Sequence, residues 1–118
     1  MDDQKFNLVL DKLLEKTKKG KLEWETTANR NTFLAVLQDS AISINHGYQS
    51  ANDVFDECHL YTFDFRNENG DVVESIAVSD STENSEKYEK AGQIFELARS
   101  QSLNIDKTLD YILEQLAA

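Results

Sequence analysis

The order of hydrophobic periodicities constrains this chain most. Apolar residues recur first at helical spacing, then in short alternating runs, then at helical spacing again. Phe6, Val9, Leu10, Leu13, Leu14 and Thr17 share one face of a helix that stops at Gly20. The alternating runs hold Leu22, Trp24 and Thr26, then Phe33, Ala35 and Leu37, then Ile42 and Ile44, then Tyr61, Phe63 and Phe65. The helical period returns with Tyr88, Ala91, Phe95 and Ala98, and again with Leu109, Ile112, Leu113 and Leu116. No proline interrupts any of these segments. Strands joined by short turns pair antiparallel, because a parallel pair needs a long crossover. The expected fold is α+β: a five-stranded antiparallel meander, with the N-terminal helix and two C-terminal helices packed on one face. A length of 118 residues suits a single domain, 1–118.

Local signals set the expected boundaries. Asp2 or Asp3 caps the first helix, and Lys16, Lys18 and Lys19 suit the negative end of its dipole. Strands are expected over 21–27, 32–37, 41–46, 60–66 and 71–78. The 32–37 run is apolar on both faces, which predicts a central or doubly covered strand. Asn67-Glu68-Asn69-Gly70 is a strong turn signal, since Asn and Gly accept positive φ. The stretch 47–58 has no clear period and reads as a loop, with one helical turn at 52–55. A helix is expected over 85–102, a break at 104–106, and Asp106 as the cap of the last helix.

Charge narrows the function classes. The net charge is −10, with +2 on residues 1–21 and −12 on the rest. Nucleic-acid binding draws on cationic neutralisation of phosphates, so direct DNA or RNA binding is not expected. A basic protein partner is electrostatically allowed. The stretch from Asp53 to Glu89 holds 11 acids against Arg66 and Lys87. Cys58 is the lone cysteine, which fits a reducing compartment. The start Met1-Asp2-Asp3-Gln4-Lys5 lacks a signal-peptide pattern, and the longest apolar run is Phe33 to Leu37. A soluble, cytoplasmic protein is the expectation.

Candidate chemistry is sparse. Asp53, Asp56, Glu57, Cys58 and His59 form the best cluster, with His46 able to contribute across the sheet. Their spacing matches no metal motif, and Cys58 and His59 point opposite ways on a strand. A Cys58–histidine nucleophile pair has no support from spacing. Gly20, Gly47, Gly70 and Gly92 are isolated from one another, so no phosphate loop exists. Trp24 and the row Tyr61, Phe63 and Phe65 suit core packing better than a ligand pocket. Gly92 lies inside a helical pattern, where close helix–sheet contact offsets its cost. No catalytic, cofactor-binding or metal-binding residue is therefore assigned, and no cofactor is expected.

Lys19-Gly20-Lys21-Leu22-x-Trp24 follows an amphipathic helix, and Phe95-Glu96-Leu97-Ala98-Arg99 precedes Leu103-Asn104-Ile105-Asp106 and Leu109-Asp110-x-Ile112-Leu113. With the central strands, this resembles a group of small uncharacterised bacterial α+β proteins that share a helix–GKLxW–strand meander–helix pattern. The resemblance implies a helix stop, a core tryptophan and a helix–break–helix, and no catalytic residue. The expected function is a small cytosolic bacterial interaction or accessory module, non-enzymatic, with a protein partner, a homodimer being one option. The alternative is an acidic inhibitor or immunity-type protein that binds a basic partner or mimics nucleic acid. A ligand binder using the aromatic face ranks third, and an enzyme last.

Overall fold

In a computed structural model, residues 2–50, 57–80 and 85–117 are described, with the backbone alone at 48–50, 57 and 58. The helix α1 (Asp3–Lys18) is followed by β1 (Trp24–Thr26), β2 (Thr32–Val36), β3 (Ala41–Ser50), β4 (Glu57–Arg66) and β5 (Val72–Ser79), then α2 (Ser85–Leu103) and α3 (Ile105–Ala117). The strands form one sheet in the order β1-β2-β3-β4-β5, and every neighbouring pair is antiparallel. The fold is thus the α+β meander that the periodicities predict.

The local devices are those the sequence offers. Asp2 caps α1 by accepting from the Lys5 amide at 2.8 Å, and Gly20 follows the helix at φ +68°. In the 67–70 turn, Asn67 Oδ1 accepts from the amides of Asn69 and Asp71, and Gly70 adopts φ +83°. Thr27 Oγ1 donates to the Thr32 carbonyl at 2.9 Å and closes the turn between β1 and β2.

One face of the sheet carries the core. Trp24, Phe33, Ala35, Ile42, Ile44, Phe63 and Val78 are buried there in one cluster with Phe6, Leu10 and Leu13 of α1 and Ala91, Ile94, Phe95 and Ala98 of α2. Phe6 meets Phe63 edge-on at 5.8 Å, and Phe33 meets Phe95 at 5.4 Å. The two helices run parallel, as three links between them show. Lys87 pairs with Asp3 at 3.0 Å, Lys90 with Asp11 at 2.7 Å, and Gln101 donates to the Thr17 carbonyl at 3.1 Å.

Four expectations need correction. The 47–58 stretch is not all loop: β3 runs to Ser50 and β4 starts at Glu57, with Gly47 opposite Leu60 and Tyr48 opposite His59. A hairpin ladder extends through backbone hydrogen bonds and needs no apolar alternation. The helical turn at 52–55 lies outside the described residues, as do Asp53 and Asp56. Of the two options for the 32–37 strand, the central one holds, since β2 pairs with β1 and β3, but the strand is not doubly covered. Leu34 is only half-buried and Val36 is exposed, and the open face beside Leu34 holds Thr32, Ser43, Asn45, Thr62 and Asp64. Asp106 is not the cap of the last helix. Asn104 takes the left-handed break at φ +51°, its carbonyl accepts from the Thr108 amide, and Asp106 sits in the first turn.

The fourth correction concerns α3. The first two helices cover the sheet, but α3 buries none of its residues. Its main neighbour is α2. The reason is geometric: α1 and α2 already cover the apolar face of the sheet, and the one-residue break at Asn104 leads the chain away from it.

Candidate functional site: an uncovered helix and a lysine-lined groove

Helix α3 is amphipathic, yet its apolar stripe meets water. Leu109, Ile112, Leu113 and Leu116 are 52, 45, 64 and 77 % exposed, and Ile105 alone is half-buried. These residues follow the i, i+4, i+7, i+8, i+11 pattern of one helix face. Asp106, Asp110 and Glu114 stand four residues apart and form a row along one side of that stripe. A helix of 13 residues without packing is marginal in water. Four large aliphatic residues side by side on one helix face form a contiguous exposed apolar patch rather than scattered surface residues.

A second surface lies on the far flank of α1. A shallow groove of about 330 Å³ is walled by Val9 and Leu13 of α1 and by Leu22, Leu37 and Ile42 from the sheet side. Exposed Leu8 adjoins it. Lys5, Lys12 and Lys16 lend their aliphatic stems to the wall, and their spacing of 7 and 4 residues aligns them along the helix. Lys12 meets Glu15 only at 3.7 Å.

The histidines meet between β3 and β4. The register sets His46 opposite Tyr61 and Tyr48 opposite His59, so the two histidines are diagonal neighbours. Their rings lie parallel, with centroids 5.4 Å apart and His46 Nε2 at 3.3 Å from His59 Nδ1. His46 also stacks on Tyr61 at 4.9 Å and meets Phe95 at 5.4 Å, while Tyr61 meets Tyr88 at 5.3 Å. Burial pushes the His46 imidazole below its ordinary value, the facing His59 lowers it further, and Glu96 opposes both. The cluster is an aromatic wall in which a neutral imidazole packs as a flat ring.

The other sequence candidates are placed as follows. Glu57 and Cys58 lie at the start of β4, where Cys58 pairs in register with Gln49. Among the described residues, no three of His, Cys, Asp and Glu gather as a metal-capable group. Trp24 is 5 % exposed, and its indole N–H donates to Thr17 Oγ1 at 3.1 Å, so it belongs to the core. Phe63 is buried, and Tyr61 and Phe65 pack partly buried against the same core. Gly92 passes over Tyr61, whose hydroxyl is 3.4 Å from where a Cβ would stand. The acids between 53 and 89 stand on several elements. Asp64 accepts from Ser75 on β5, Glu68 and Asp71 sit at the 67–72 turn, and Glu86 pairs with Lys90 on α2.

Sequence reading assigned the α3 stripe to the core and missed it as a surface. The Asn104 break and the acidic row beside the stripe were the available signals. The groove was hidden because Lys16 read as a charge for the helix dipole, and because Leu22, Leu37 and Ile42 lie apart in sequence from the α1 residues they face. The chain matches no protein-family model, and no curated sequence or solved structure shows detectable similarity to it. Among the described residues, no helix is long and apolar enough to cross a membrane.

Proposed function

We propose that this protein is a non-enzymatic, cytoplasmic interaction module that docks through α3. The observation that carries this reading is the apolar stripe Leu109, Ile112, Leu113 and Leu116, which stands exposed among the described residues. A helix laid into an apolar groove is a common recognition mode, read through anchors at this spacing. Fully burying each Leu or Ile is worth about 1.5–3 kcal/mol, so four of them supply enough to order a marginal helix. The acidic row of Asp106, Asp110 and Glu114 adds a charge preference for a basic groove.

The reading is tested by capture with wild type and with a Leu113→Asp/Leu116→Asp variant, from the cells that produce the protein. A partner retained by wild type and lost by the variant, then rebuilt from purified components, is the expected result. Equal retention by both would remove α3 as the docking element. Duplex DNA should show no measurable affinity at physiological salt, given −12 on residues 22–118.

A further inference from the structure

We infer that the partner of α3 is a second copy of this chain, whose α1 groove receives the helix in a reciprocal dimer. The inference rests on the reading of α3 as the docking element and names its occupant. Two surfaces of one molecule match in chemistry. The stripe of α3 is aliphatic and edged by Asp106, Asp110 and Glu114. The groove is aliphatic and edged by Lys5, Lys12 and Lys16. The chain is strongly acidic overall, yet residues 1–21 carry +2, so the α1 wall of this groove lies in its basic segment.

The lengths agree as well. The lysine row runs 11 steps along α1 from Lys5 to Lys16, about 16 Å, and the aliphatic stripe of α3 runs the same number from Ile105 to Leu116. Acids on α3 recur about every 6 Å, close to the Lys12–Lys16 step on α1. Lysine stems can flatten onto the leucines while their ammonium groups reach the carboxylates at the rim. The apolar contact supplies affinity, and the charges fix orientation and register.

The shape of the chain supports an exchange between copies. Its radius of gyration is 16.0 Å, against about 13.5 Å for a compact chain of this length. A helix that stands clear of the sheet and the ten-residue strands β3 and β4 both add to that extent. In a twofold pair each copy gives one α3 and one groove, so both contacts form at once and no open stripe or groove remains. A one-sided contact would leave one of each exposed and would grow into chains.

Charge reversal tests this on the full-length protein. One variant carries Asp110→Lys and Glu114→Lys; the other carries Lys12→Glu and Lys16→Glu. Wild type should sediment at twice the 13.5 kDa chain mass at about 100 μM and dissociate on dilution. Each variant alone should sediment as a monomer, because helix and groove then carry like charge. Mixed together they should form a heterodimer, since both of its contacts again pair opposite charges. Far-UV circular dichroism confirms that each variant is folded; the altered side chains are all exposed. Leu113→Asp serves as a second route to the monomer that leaves every salt contact in place. A wild type that stays monomeric at about 100 μM overturns the inference. So does a dimer that survives the groove reversal, or reversed variants that do not pair. If wild type is monomeric yet captures a partner that Leu113→Asp/Leu116→Asp loses, α3 remains a docking helix and only the identity of its occupant falls.

Discussion

Trp24 and Thr17 join the first strand to the first helix through one buried hydrogen bond of 3.1 Å. Thr17→Val keeps the shape and removes the acceptor. The stranded indole N–H should cost about 1–3 kcal/mol, read as a lower urea midpoint. Phe95 touches Phe33, His46 and Tyr61, so Phe95→Ala should cost about 3–5 kcal/mol in the same assay. A near-unchanged midpoint would remove Phe95 from the core. His46 makes a further prediction, on pH. Its folded value lies below the ordinary 6.5, so the unfolded chain binds more protons between the two values. Stability from this group is full above its ordinary value and is lost as pH falls through the lowered one. The urea midpoint should therefore drop below about pH 6.5, and His46→Phe should blunt that drop. Trp24, Phe63 and Phe95 were legible as core residues because aromatic residues on an apolar face are rarely spent elsewhere. The His46–His59 pair was only partly legible, since a diagonal contact depends on a strand register that the sequence alone does not reveal.

At the scale of elements, periodicity identified the three helices and four of the strands, and the turn at 67–70 implied the fifth, but neither showed what each one covers. The alternation in β4 and the helical spacing in α2 were read correctly because each apolar face has a partner in the fold. The same logic failed for α3, whose spacing is just as regular. Periodicity reports that a face is apolar and says nothing about whether the covering surface belongs to the same chain. Strand length failed differently, since β3 and β4 are prolonged by backbone pairing through Gly47 and Gln49. The α3 stripe carries a clear stability prediction. At a dilution where the chain is monomeric, Leu113→Asp should change the unfolding free energy by no more than about 0.5 kcal/mol, because Leu113 faces water. A loss comparable to Phe95→Ala in chemical denaturation would mean that α3 packs against its own chain.

Across the whole molecule, the two uncovered apolar surfaces are edged by opposite charge, and the central claim is that they meet between copies. Neither surface alone was legible as a site. The groove needs α1, Leu22, Leu37 and Ile42 brought together by the fold, and the stripe needs α3 to stand clear of it. Hydrogen–deuterium exchange of α3 followed across protein concentration tests the claim most directly. Backbone amides of 105–117 should exchange rapidly in dilute protein and become protected as concentration rises, together with those of α1 that line the groove, while α2 stays protected throughout. Protection of α3 that is unchanged by dilution, or absent at every concentration, would contradict the account.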